Sequence, residues 1–228
     1  MTLVLCAHGT RSPAGRAAVR AMVDAVAASM AGSRSEPVLD AYVDVHGPTL
    51  AERLVPGATV VPLFLAVGHH VRVDIGGAAA TVPGVRVSAP LGPSGLLVEL
   101  LHDRLGQAAV EPGTAVVLAA AGSSDRSSAR AAQRTAAALA QRLGAPVSVA
   151  YGASRAPSVA DRVAELRKGG AERVAVASYL LATGHFHRRL LDAGADTVTA
   201  PLIADGEVDP RLVALVHERC REAHRLSA

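Results

Sequence analysis

Val4-Leu5-Cys6-Ala7-His8-Gly9-Thr10 returns 113 residues later as Val117-Leu118-Ala119-Ala120-Ala121-Gly122-Ser123. Pro48-Thr49-Leu50-Ala51-Glu52-Arg53-Leu54 returns as Pro157-Ser158-Val159-Ala160-Asp161-Arg162-Val163, an offset of 109. Leu65-Ala66-Val67-Gly68-His69 returns as Leu181-Ala182-Thr183-Gly184-His185, at 116, and Ala89-Pro90-Leu91 as Ala200-Pro201-Leu202, at 111. Four matches in one order, drifting by only seven residues, describe a duplicated domain, and a period of about 112 is too long for a solenoid. The predicted domains are residues 1–112 and 113–228, divided at the Gly106–Gly113 segment that contains Pro112.

Within each copy, short apolar runs alternate with longer periodic stretches. Leu3–Ala7 reads as a buried strand, a Gly- and Pro-punctuated loop runs from Gly9 to Gly15, and Val19, Met22, Val23, Val26 and Met30 follow at helical spacing. Further strands are predicted at Val38–Val45, Thr59–Leu65 and Val85–Ala89. The second copy repeats the pattern with strands at Thr114–Ala120, Pro146–Tyr151 and Arg173–Leu181 and helices at Ser127–Leu143 and Pro157–Lys168. Asp209 before Pro210 is an N-cap and first-turn pair that opens the last helix. Strand and helix in alternation predict an α/β fold with mainly parallel sheets.

Composition removes several functions. The chain has 228 residues, two Phe, three Tyr and no Trp, against nine His. Base-stacking RNA and single-strand binders need aromatic platforms that this chain lacks. A net charge of +3 is too mild for a nucleic-acid groove. Cys6 and Cys220 stand far apart with no C-x-x-C, so neither a disulfide framework nor a zinc knuckle is expected. Met1–Ala7 has no basic region and runs straight into His8 and Arg11, unlike a signal peptide. The longest uncharged stretch, Leu54–Val71, is broken by Pro56, Gly57, Pro62 and two histidines, so no membrane span is expected and the protein is read as cytoplasmic.

In an open parallel sheet, ligands bind beyond the carboxyl ends of the strands. His8 follows the first strand directly, and His69-His70 follow the third, so all three are predicted at one rim of the first copy. His46 follows the second strand, where a turn before Pro48 accounts for it. His185 and His187 mark the equivalent rim of the second copy. His102, His217 and His224 fall in helices among charged neighbours and are read as solvated. The repeat sharpens this reading, because His8 aligns with Ala121 and His70 with Phe186. The scaffold therefore does not need imidazole at either place, and the working rim is assigned to the first copy.

These residues carry a resemblance. His8-Gly9-Thr10-Arg11 resembles the H-G-[ST]-R opening of the sirohydrochlorin chelatases. The segment from Pro62 to Ile75, Pro-Leu-Phe-Leu-Ala-Val-Gly-His-His-Val-Arg-Val-Asp-Ile, resembles their P-L-F-L-x-x-G-x-H-V-x-x-D-I-P signature. Together with the duplication, the resemblance spans the chain and points to the long bacterial type. It implies two similar three-layer α/β/α domains facing each other across a cleft. It also implies insertion of Co2+ or Fe2+, in some members Ni2+, into a reduced tetrapyrrole on the way to sirohaem or cobalamin. By position, His8 and His70 are implied as the catalytic, metal-handling and proton-accepting pair, with His69 a variable neighbour. No permanent cofactor is implied, because the metal is itself a substrate. Gly76-Gly77 stands where the family commonly has Pro, which puts the start of the next helix in question.

The chemistry suits the residue types. Imidazole ligates Fe2+, Co2+ and Ni2+ and accepts protons near neutrality, and two protein ligands leave positions open for substrate nitrogens. For the macrocycle's carboxylates the candidates are Arg11 and Arg72, with backbone N–H groups of Gly9-Thr10 and Gly122-Ser123-Ser124 at helix N-termini. His185 is a further candidate from the second copy. The partners expected are thus a sirohydrochlorin-type tetrapyrrole and a divalent metal ion, without nucleic acid or membrane. A chain that carries both halves does not require a homodimer, and leaves one open. Gly122-Ser123-Ser124 lacks the Gly-Lys of a P-loop. A histidine phosphatase would need an Arg before His8-Gly9, where Ala7 stands. The remaining rival is a metal carrier or tetrapyrrole-binding protein without turnover.

Overall fold

The computed structural model describes residues 2–30 and 37–225. Met1 and residues 226–228, the outer ends of the two expected domains, lie outside the described residues. The elements are, in order, β1 (Leu3–Ala7), α1 (Pro13–Met30), β2 (Val38–Tyr42), α2 (Leu50–Arg53), β3 (Thr59–Pro62), a π-helical turn (His70–Ile75), α3 (Gly76–Ala80), β4 (Arg86–Val87) and α4 (Gly95–Gln107). The second series is β5 (Ala115–Ala120), α5 (Arg126–Leu143), β6 (Val147–Tyr151), α6 (Val159–Lys168), β7 (Val174–Tyr179), α7 (His185–Leu191), β8 (Thr197–Val198) and α8 (Pro210–Arg225). Gly76 and Gly77 interrupt nothing, since the helix begins upstream of them at the π turn.

Two parallel sheets form, in the orders β2-β1-β3-β4 and β6-β5-β7-β8. Both are α/β/α units. In each, the order of strands reverses between the first strand and the third, which is where an open parallel sheet offers a crevice at its carboxyl edge. Every residue of β1 is buried, as expected for a central strand covered on both faces. Val4, Cys6, Ala41 and Val60 pack with Leu50 and Ile75 on one face. In the second unit Val117, Ala119, Val174 and Val176 pack with Val159, Val163 and Leu190. The repeated Pro-[ST] stretch explains itself here: Thr49 and Glu52 cap α2, and Ser158 and Asp161 cap α6, by the same reciprocal box.

Packing divides the chain differently from its sequence repeat. One compact unit comprises residues 1–92 with 205–228, and the other residues 93–204. Helix α8, from the second repeat, packs on α1 and β3, whereas α4, from the first repeat, packs on the equivalent α5 and β7. The repeats have thus exchanged their last helices. Leu212, Leu215 and Val216 of α8 are fully buried. Arg219, also buried, donates from Nε to Pro90 O at 2.8 Å and from Nη2 to Leu91 O at 3.1 Å. Arg219→Ala would leave both carbonyls without these donors, and a loss of about 2–3 kcal/mol in chemical denaturation is expected.

Two of the helix histidines are half-buried and hydrogen-bonded within the fold. His217 Nε2 lies 2.8 Å from Ser29 Oγ, and burial, with Arg221 nearby, lowers its pKa. His224 donates from Nδ1 to Cys220 O at 2.7 Å, and its Nε2 lies 3.4 Å from Thr59 Oγ1. Both face α1 or β3 because α8 belongs to the first unit. His102 is half-buried, with Nδ1 3.6 Å from Asp103.

Candidate active site

The rim of the first sheet is built around Gly9. Its φ of +99° suits glycine, and a Cβ there would collide with the carbonyl oxygen of Asp44. This tight passage lets the Asp44 N–H reach His8 O at 2.9 Å and pins the end of β1 to the loop after β2. Gly122, with φ +94°, meets the carbonyl of Ala153 in the same way, and Ala153 N–H donates to Ala121 O. The loop is therefore a property of the scaffold, while the side chain before the glycine differs. Gly9→Ala is expected to weaken both stability, by about 1–3 kcal/mol, and metal binding. Gly122→Ala should weaken stability without altering metal binding, which calorimetry of the two variants would separate.

His8 and His70 meet at the reversal point between β1 and β3. Their ring centroids are 4.4 Å apart, with the planes inclined by 53°. His8 is exposed, and His70 is about a third exposed. The His70 ring also lies 6.3 Å from Phe64 and 5.9 Å from His69, so it is flanked on several sides. Its Nδ1 is 2.6 Å from Asp74 Oδ2. Two imidazoles at right angles around one ion, with metal–nitrogen bonds of about 2 Å, would have centroids about 4.5 Å apart, close to the separation here. Among the described residues, no group of three or more His, Cys, Asp and Glu forms a metal cluster.

Two neighbouring groups are engaged within the fold. Cys6 is fully buried in β1, and burial pushes its thiol up to about 12. The His46 ring lies against Tyr42, with centroids 4.1 Å apart and planes inclined by 55°, and its Nδ1 is 3.0 Å from Gly47 O, while its buried Nε2 has no hydrogen-bond partner among the described residues.

The chain belongs to the CbiX family of chelatases, in its long, duplicated form. The CbiX profile matches residues 2–108 and again 115–223. The chain is similar in fold to SirB from Bacillus subtilis with Fe3+, at TM-score 0.76 and 22% identity, covering 98% of this chain and 96% of that one. SirB from Bacillus subtilis subspecies spizizenii in complex with cobalt gives TM-score 0.72 and 20% identity, with 98% and 95% covered. A CbiX described as the terminal enzyme for biosynthesis of siroheme in denitrifying bacteria gives 0.69 and 21%, with 98% and 99% covered. No curated protein sequence matches the chain.

The remaining candidates are placed unequally on this CbiX scaffold. Arg11 and Arg72 are exposed in the first unit, one on the loop after β1 and the other on the π turn. Gly9 and Thr10 do not open a helix as expected: α1 starts at Pro13, Ser12 accepts from Gly15 N–H, and Thr10 Oγ1 accepts from Ser12 N–H. In the second unit Asp125 caps α5, its carboxylate accepting from Ser127 N–H at 2.8 Å. The N-terminus of α5 thus already holds an anion, and Arg155 binds the carbonyls of Ser123 and Ser124 at 3.1 and 3.2 Å. Both facts weigh against Gly122-Ser123-Ser124 as a carboxylate cradle. His185 is exposed beside Phe186, and the Phe186 ring lies over the backbone of Gly152. His187 is buried and pairs Nε2 with Thr199 O at 3.1 Å, a structural role. Asp74 was in the quoted signature without a role; its position four residues after His70 was the available signal. No described helix is long and apolar enough to cross a membrane.

Proposed function

We propose that this protein inserts a divalent metal ion (Co2+, Fe2+ or Ni2+) into sirohydrochlorin or a closely related tetrapyrrole, using His8 and His70. The observation that carries the reading is the imidazole pair, 4.4 Å between centroids, on the open rim of a CbiX-family chain. The two rings receive the ion, weakly enough to release it. As metal–nitrogen bonds form to the macrocycle, its two pyrrole N–H bonds break. The two protons pass to the imidazoles that have just released the ion, and from them to water, so charge balances at every stage. Arg11 and Arg72 offer guanidinium groups to the macrocycle's carboxylates.

Neutral imidazole is the ligand, so acid competes with metal and Co2+ affinity is expected to fall on acidification. Turnover separates a chelatase from a carrier. Catalytic protein mixed with a large excess of sirohydrochlorin and Co2+, followed by visible absorption, should metallate many equivalents faster than the metal does alone. A burst of one equivalent with no further acceleration would identify a carrier.

A further inference from the structure

We propose that Asp74 is a positioning residue for His70, fixing the ring's tautomer and rotation so that Nε2 is the nitrogen presented to the incoming ion. The inference rests on the proposed use of His70. A carboxylate can only accept, so the 2.6 Å contact between Asp74 Oδ2 and His70 Nδ1 places the ring hydrogen on Nδ1. Nε2 then carries the free lone pair. Metal-binding imidazoles are commonly held in this way by a carboxylate on the opposite nitrogen.

The backbone is modified to make the contact. In the first copy Ile75 is the buried residue that seats the rim segment against β1 and β3, and it lies five residues after His70. In the second copy Leu190 is the corresponding buried residue, and it lies four residues after Phe186, at the equivalent of His70. The first copy accommodates one more residue by a π turn over His70–Ile75, in which Gly76 N–H reaches back to Val71 O. The second copy runs as an ordinary α-helix, α7. Wider turns of this kind concentrate at functional sites. Here the widening turns Ile75 into the core and leaves Asp74, one step earlier, against the imidazole at the rim. In α7 the residue four after Phe186 is the core leucine, so no carboxylate occupies that step. The extra residue and the carboxylate therefore occur together, in the copy that carries the histidine pair.

The test is a Co2+ titration by calorimetry of the full chain without tetrapyrrole, comparing the unsubstituted protein with Asp74→Leu, Asp74→Glu, His70→Ala and the His70→Ala/Asp74→Leu double variant. Asp74→Leu should weaken Co2+ binding about 10- to 100-fold, and Asp74→Glu should recover most of that loss. In the His70→Ala background Asp74→Leu should change affinity less than about twofold, because its effect runs through the ring. An equal loss in both backgrounds, or no loss in Asp74→Leu while His70→Ala is impaired, would overturn the positioning role alone. Unchanged affinity in His70→Ala would overturn the metal-binding reading together with this one. Nitrogen-15 spectra of the neutral His70 ring in the unsubstituted protein provide a readout that needs no variant. They should show the Nδ1–H tautomer, and an Nε2–H tautomer would contradict the proposal.

Discussion

Protein carrying both His8→Ala and His70→Ala is expected to metallate sirohydrochlorin no faster than the same metal does in buffer. Both parts of the chemistry disappear together. The ion loses the paired imidazoles, and the pyrrole protons lose positioned acceptors, a contribution typically worth about 10²- to 10⁴-fold in rate. Each single substitution leaves one ring and should retain weak activity. The fold should survive, because His8 is exposed and His70 partly so, and neither fills the core. Thermal unfolding within a few degrees of the parent would show that. His185→Ala is the comparison from the second rim: its ring contacts only Phe186 among the described ring pairs, and Co2+ affinity should stay within about twofold. A double variant as active as the parent would dismiss His8 and His70 from the mechanism.

Ending the chain at Gly206 should abolish the site from a distance. That truncation removes α8, none of whose residues belongs to the rim, but α8 covers α1 and β3 in the unit that holds His8 and His70. Leu212, Leu215 and Val216 are fully buried, and at about 1.5–3 kcal/mol for each such side chain their loss is comparable with the whole stability of a domain, about 5–15 kcal/mol. The carbonyls of Pro90 and Leu91 lose Arg219 as well. Hydrogen exchange of the truncated chain should therefore show residues 1–92 unprotected and Co2+ binding absent. Strands β5–β7, whose unit contains α4 and none of α8, should stay protected. Full protection across β1–β3 would refute the helix exchange as a structural necessity.

How far the sequence reveals these features depends on the range of the interactions. The alternation of buried strands and amphipathic helices is local, so the α/β class and the parallel sheets were legible from Leu3–Ala7 onwards. The duplication was legible because Gly9 and Gly122 face the same backbone collision and Thr49 and Ser158 make the same cap. His8 and His70 could be brought to one rim because each follows a central strand. The helix exchange was not legible, since α4 and α8 have similar apolar faces and nothing local specifies which sheet each one covers. The half-buried roles of His217 and His224 were missed for the same reason. Asp74 escaped notice because an i,i+4 pair within a π turn looks, in sequence, like one in an ordinary helix. The cap that Asp125 places on α5, beside Gly122-Ser123-Ser124, was not weighed in sequence because a motif search had no reason to count it.

The first copy's imidazole pair, and no group on the second rim, is proposed to receive the ion. Anomalous diffraction at the cobalt edge from crystals soaked in Co2+ tests it most directly. One peak is expected within bonding distance, about 2.0–2.2 Å, of a ring nitrogen of both His8 and His70, and on His70 that nitrogen should be Nε2. A peak at His185, or a peak that touches neither His8 nor His70, would overturn the assignment of the ion to the first rim.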